Sequence, residues 1–133
     1  MIQFLLGLPF SHRQRKLAAS RPSIEKEQFV SMISLDSADR STAEKVWDAL
    51  ATCRVDEAFA PYPDDSLEHV YGIAEEELDQ DLIARILKDL DLPIPDREFT
   101  LRFGVVDSPR RVAHFIREWR RRAATEAGVG GVT

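Results

Sequence analysis

The sequence has few of the cysteine and histidine residues that stabilise small proteins through disulfide bonds or bound metal ions. It has one cysteine, Cys53, and three histidines among 133 residues. A single cysteine rules out a disulfide framework within one chain and is typical of a reducing compartment, so we expect a cytoplasmic protein. His12, His69 and His114 are widely separated and no cysteines are paired, so no metal-binding motif is predicted. The chain is long enough to fold as one domain around an ordinary hydrophobic core.

Long apolar runs are also absent. The most apolar segment is the opening MIQFLLGLPF, which is far shorter than the roughly 20 residues that a transmembrane helix needs. No basic region precedes its apolar run and no small-residue cleavage site follows it, so we do not expect a secretory signal. We expect this segment to pack against the rest of the protein or against a second copy, and we predict no membrane contact.

Charge is plentiful, with a net value of −5, but it is unevenly distributed. Residues 56–98 are strongly acidic, whereas residues 1–22 and 109–122 are basic. An acidic middle between basic ends is typical of solvated helix surfaces, or it indicates internal charge complementarity or separate acidic and basic faces. We expect the arginines of the last helix to pair with the acidic helix, within one molecule or between two. The overall acidity argues against a nucleic-acid partner, since such a protein is basic over its whole binding domain.

The periodicity of apolar residues predicts an all-α protein. Helical spacing is found over residues 24–34, 41–54, 75–90 and 108–123, while residues 99–106 alternate only weakly and predict a loop. The glycine-rich segment 125–133 predicts a disordered tail. Trp47 and Trp119 lie on apolar stripes, and we expect both to be buried on facing helices.

Local signals predict where several helices begin and end. Ser23 is a candidate cap for the helix over 24–34, and Ser41 followed by Glu44 has the pattern of a capping box. A short helix starting near Asp64 is expected to end at Gly72, because glycine readily adopts the left-handed conformation. Ser108, followed by proline, predicts the start of the last helix.

The middle of the chain resembles an acyl carrier protein. Residues 67–72 (LEHVYG) are similar to the loop before the carrier's central helix, residues 75–90 to that acidic helix, and residues 92–96 (LPIPD) to the turn after it. The resemblance implies an acyl-carrier-like four-helix bundle over residues 41–124. Residues 1–40 would then form an extra N-terminal helical extension that packs on the bundle, and residues 125–133 the tail.

The resemblance fails at the residue that carries the prosthetic group. A carrier attaches phosphopantetheine to a serine that opens its central helix. Counting forward from Gly72 places this serine at Glu75, and counting back from Pro95 places it at Glu76. A carboxylate cannot be modified in this way, because the transfer needs a hydroxyl to attack the cofactor's phosphate. The resemblance therefore implies a carrier-like protein, of a kind found in bacteria, that is not an enzyme and holds no cofactor.

One serine offers a different register. Asp65-Ser66-Leu67 spells the carrier triplet, but no glycine precedes it and Pro95 lies about ten residues too far downstream. Ser66 is better interpreted as a helix N-cap, whose hydroxyl accepts a hydrogen bond from a first-turn amide. The alternative is a true acyl or peptidyl carrier that bears phosphopantetheine on Ser66.

An acidic cluster is the candidate binding site. Adjacent helical carboxylates diverge, whereas a hard metal ion needs oxygens that converge from several elements, so no metal site is predicted. We expect a surface that docks a protein with a basic face, because clustered charge speeds association and gives specificity. The pattern specifies neither the partner's identity nor an oligomeric state. The predicted partner-binding residues are Glu75, Glu76, Glu77, Asp79 and Asp81.

Overall fold

The computed structural model describes residues 12–34, 37–53, 58–73 and 78–132. Within these ranges the protein is all-helical and has no strand, which confirms the predicted all-α class. The first helix, α1, covers residues 12–20. It is followed by α2 (Lys26–Ile33), α3 (Ser37–Ala51), α4 (Leu67–Tyr71), α5 (Leu78–Ile83 wound as a π-helix and continuing as the α-helix Ala84–Asp89), α6 (Arg97–Phe103) and α7 (Pro109–Val132).

Two helix starts differ from the prediction. The capping box of α2 is formed by Glu25 and Gln28, not by Ser23: the Glu25 backbone N–H donates to the Gln28 side chain at 2.8 Å. Helix α3 begins at Ser37, so Ser41 lies in its second turn and is no cap. In the first turn of α3, half-buried Asp39 and Arg40 form ion pairs with Arg117 of α7 at 3.3 Å and with Glu27 of α2 at 2.5 Å.

Helix α6 lies where the sequence predicted a loop. The Asp96 carboxylate caps it by accepting a hydrogen bond from the Phe99 N–H at 2.7 Å. Phe99 and Phe103 are four residues apart and turn toward the core, whereas Leu101 points to solvent. The weak alternation in the sequence therefore combines two core-facing phenylalanines with an exposed leucine on the opposite side of a short helix. Gly104 ends it with φ of +92°, a conformation that glycine adopts more readily than any other residue.

The last helix starts as predicted but ends later. Ser108 precedes its first residue, Pro109, and the Ser108 hydroxyl accepts a hydrogen bond from the Arg111 N–H at 3.2 Å. The helical backbone then continues to Val132, past the end that was predicted near Ala123. Most of the segment predicted as a separate tail, residues 125–133, therefore belongs to α7.

The core is formed by several helices together. Fully buried side chains come from α2 (Phe29), α3 (Leu50), α5 (Ile86) and α7 (Ile116). Helix α3 is central, since it packs against α2, α5 and α7. Residues 24–33, which the sequence assigned to an extension, contribute to the same core as the rest.

The two indoles differ in burial. Trp119 is buried as predicted, and its Nε1–H donates to the Pro93 carbonyl at 2.7 Å. Trp47 is half-buried, less than predicted, and packs edge-on against the Phe29 ring with centroids 5.2 Å apart. Trp47 therefore lies toward the rim of the core, over α2.

Candidate partner-binding site

The predicted acidic site is only partly visible. Glu75, Glu76 and Glu77 lie outside the described residues, and for Asp79 only the backbone, at the start of α5, is described. Asp81 is exposed on α5 and makes no ion pair with any residue that the structure describes. The prediction for this cluster therefore stays a prediction, with Asp81 as its structurally placed member.

Ser66 is the N-cap of α4, as predicted. Its backbone is extended, and its Oγ accepts a hydrogen bond from the His69 N–H at 3.1 Å. The helix that it opens has five residues and ends at Gly72, which is left-handed with φ of 70°. Ser66 thus opens a helix as a carrier serine does, but a short one rather than the long acidic α5.

Asp65 belongs to a buried polar network rather than to a surface motif. Its side chain is 6% exposed and forms a two-pronged ion pair with Arg21, at 2.7 and 2.9 Å. The Tyr71 hydroxyl and the Tyr62 backbone N–H donate to the same carboxylate at 2.9 and 3.0 Å. Burial, reinforced by the Asp65 charge, raises the pKa of Tyr71 far above its usual 10. The ion pair connects the residue after α1 to the segment that precedes α4.

An apolar groove lies beside Ser66. It is a cavity of about 530 Å³ bordered by α4, by α6 and the residues after it, and by α7; we call it the α4–α6 groove. Buried Leu67, Ile73 and Phe115 form its floor. Leu101 and Val105 border it and are 69% and 73% exposed. Large apolar side chains in this position can contact a ligand without any rearrangement of the core.

A second cavity of about 320 Å³ lies between the end of α3 and α5. Cys53, Asp81 and Arg85 line it together with Ile73, which also lines the α4–α6 groove. Arg85 donates to the Thr52 hydroxyl at 3.4 Å, and the half-buried Cys53 thiol is directed at the Ala49 carbonyl, 3.7 Å away. No nucleophile–base pair is formed by these contacts.

The arginines of α7 make contacts within the fold. Arg110 holds Asp64 through bonds of 2.9 and 3.2 Å, which keeps the pKa of that carboxyl below its usual value. The other contacts are Arg117 with Asp39, Arg121 with Glu118, Arg120 with the hydroxyls of Ser41 and Thr42, and Arg111 and Arg122 over the rings of Phe103 and Phe99. None of these contacts joins α7 to a described residue of α5, and Glu75, Glu76 and Glu77 lie outside the described residues, so the predicted pairing of α7 with the acidic helix stays a prediction.

Sequence reasoning missed the residues of the α4–α6 groove. Leu101 and Val105 fell in a predicted loop, Glu68 lay in the carrier-like segment 67–72 but was assigned no role, and Asp107 was assigned none either. A signal was nevertheless present: Phe99 and Phe103 have helical spacing, and a helix there places Leu101 on the opposite, exposed side.

Other kinds of site find no support within the described ranges. No group of three or more histidine, cysteine or carboxylate side chains there could hold a metal ion. None of the helices in those ranges combines the length and apolarity needed to cross a membrane. No protein-family model, curated protein or solved structure matches the chain. The acyl-carrier resemblance accordingly depends on the sequence motifs alone.

Proposed function

We propose that the protein is a non-catalytic, acyl-carrier-like helical protein that binds a partner with a basic surface through the acidic region at the start of α5. The observation that supports this most strongly is the unequal use of the two charges. The arginines of α7 contact acids, hydroxyls and aromatic rings of their own chain. On the α5 side, exposed Asp81 and Asp89 form no ion pair within the described residues and are available to another molecule.

The acids concerned are exposed. Asp81, Asp89 and Asp91 on α5 and just after it make no ion pair within the described part of the chain. The second half of α5 also carries the basic residues Arg85 and Lys88. The stretch that has acidic residues and no basic ones is therefore 75–81. A clustered negative potential attracts a basic protein and raises its association rate.

The order of helices supports a carrier-like architecture. A long helix (α3), an acidic helix (α5), a short helix (α6) and a last long helix (α7) come in this order, with the five-residue α4 in the connection between α3 and α5. Helix α3 packs against both α5 and α7. This is the order that the resemblance implies. In this proposal α1 and α2 are the additional N-terminal part, and no phosphopantetheine is attached.

The test is charge reversal with a matched control. The variant Glu75→Lys/Glu76→Lys/Asp81→Lys is compared with Asp48→Lys/Glu98→Lys/Glu118→Lys, which changes net charge equally at exposed positions elsewhere. Tagged full-length protein captures partners from a cell extract, and mass spectrometry quantifies them. We expect the first variant to lose partners by about tenfold, with slower and less salt-sensitive association, while the control retains them. Equal recovery by the first variant and the unmodified protein would overturn the proposal.

A true carrier modified at Ser66 is the second candidate, because Ser66 both opens a helix and borders an apolar cavity. Intact mass after co-expression with a broad-range phosphopantetheinyl transferase distinguishes the two functions. The non-carrier proposal predicts no added prosthetic arm. An added arm that Ser66→Asp removes and Ser108→Ala retains would establish the carrier function, since aspartate preserves the helix cap but has no hydroxyl.

A further inference from the structure

We propose that the α4–α6 groove binds the apolar side chains of a basic amphipathic helix from the partner protein. This inference rests on the proposed function and adds to it a second, apolar contact surface. The acidic region would then steer the partner, and the groove would hold it.

The exposure of Leu101 and Val105 is the first argument. Both are about 70% exposed, and they stand over a floor of buried Leu67, Ile73 and Phe115. Exposed apolar side chains that border a concave apolar surface mark interaction sites, whereas scattered ones carry no such meaning. An amphipathic helix laid in a groove buries this kind of surface.

Charge at the groove favours a basic occupant. Glu68 on α4 and Asp107 before α7 line the groove, are exposed, and form no ion pair within the described residues. The nearby arginines form no ion pair with them: Arg13 donates to the His69 carbonyl at 3.1 Å, and Arg111 to the Val105 carbonyl at 3.2 Å. Lysine or arginine residues beside the apolar stripe of a partner helix could pair with these two carboxylates.

The groove and the second cavity share one lining residue. Ile73 borders both, and Asp81 lines the second cavity. The two surfaces therefore lie close enough for one partner protein to contact both. For this reason we propose a partner protein as the occupant rather than a small apolar ligand.

The probe is a fluorescent synthetic amphipathic peptide of leucine and lysine, about 18 residues or five helical turns long. A peptide of the same pattern with glutamate in place of lysine is its control. The groove variant is Leu101→Asn/Val105→Asn, and the matched control is Ile94→Asn, since Ile94 is 73% exposed but does not line the groove. Circular dichroism checks that each full-length variant remains folded.

We expect the lysine peptide to bind and its Kd to rise at least about tenfold in the groove variant, because two apolar contacts are lost. The Ile94→Asn variant should bind as the unmodified protein does, and the glutamate peptide should not bind. Unchanged binding to the groove variant, or equal binding of both peptides, would overturn the inference. Self-association that the groove variant abolishes would assign the groove to a second copy, and displacement of the probe by a peptide of residues 1–10 would assign it to the chain's own segment.

The variant Asp81→Lys separates this inference from the proposed function. Weakening by Asp81→Lys without weakening by the groove variant leaves the acidic docking surface intact and rejects the groove. Weakening by the groove variant alone rejects the acidic region as the docking surface and leaves the groove as a peptide-binding site.

Discussion

Asp65 is a charged residue that has become part of the interior. A buried carboxylate is costly unless it is paired and its remaining acceptor sites are bonded. Arg21, the Tyr71 hydroxyl and a backbone N–H meet that need, and the Arg21 guanidinium also lies 3.9 Å from the centre of the Tyr62 ring. Asp65 therefore links the end of α1 to the start of α4. Although Asp65 is the first residue of the carrier-like triplet Asp65-Ser66-Leu67, its role in this fold is structural.

Removal of Arg21 should be strongly destabilising. The Arg21→Met variant leaves Asp65 buried without its cation, and we expect a loss of about 3–5 kcal/mol in the free energy of unfolding, measured with urea. The control is Lys26→Met, which breaks an exposed ion pair with Asp48 and should cost less than about 1 kcal/mol. Similar losses in the two variants would mean that the buried network contributes no more than a surface pair.

At the scale of elements, α6 shows a short helix held by its neighbours. An isolated helix of this length is unstable in water, so tertiary packing has to stabilise it. The Phe99 ring lies 5.3 Å from that of Phe115 and 5.0 Å from that of Trp119, and Phe103 also packs on Phe115. These aromatic contacts fix α6 against α7 and thereby place Leu101 at the groove.

The cap of α6 provides a test of this element. Asp96→Ala removes the acceptor of the Phe99 N–H, and we expect it to lower the free energy of unfolding by about 0.5–2 kcal/mol. Asp96→Asn keeps an acceptor and should restore most of the loss. Denaturant unfolding measures both variants, and a loss as large in Asp96→Asn as in Asp96→Ala would contradict the capping role.

At the scale of the whole molecule, α2 should unfold with the rest. Phe29 is fully buried in the common core, so Phe29→Ala is expected to cost about 3–5 kcal/mol. Because the core is shared, far-ultraviolet circular dichroism and the fluorescence of Trp47 and Trp119 should report one coincident transition. A separate early transition in this variant would show that residues 12–34 form an independent unit.

Stability should fall on acidification, and His114 contributes to this. Burial lowers the pKa of His114 below its usual 6.5, helped by Arg111, Arg110 and Arg117 and opposed by Asp39. The unfolded chain therefore binds the proton more readily, so this stability is complete above pH 6.5 and is lost as the pH falls through the lowered folded-state pKa. Asp64 acts with the same sign at lower pH.

The His114→Gln variant tests this contribution. We expect its urea midpoint to change less between about pH 7.5 and pH 5 than that of the unmodified protein, since glutamine does not titrate. Leu101→Asn, an exposed change that removes no titrating group, should retain the original pH dependence. An equally steep dependence in His114→Gln would exclude His114 as its source.

The sequence by itself determined the features that depend on close neighbours along the chain. The all-α class follows from the spacing of apolar residues, and the Ser66 cap, the Gly72 stop and the Ser108 start follow from hydrogen bonds or backbone conformations within a few residues. Such signals can be recognised in the sequence because the residues that interact lie within a few positions of each other.

The tertiary structure decided what depends on residues far apart. Arg21 lies 44 positions before Asp65, and Arg110 lies 46 after Asp64, so no local pattern could assign these pairs. The formation of α6 depends on rings from α7, and the α4–α6 groove exists only because α4, α6 and Phe115 of α7 border one cavity. Which side chains interact depends on their proximity in space and on their burial in the complete fold. Proximity and burial are established only once the helices have packed.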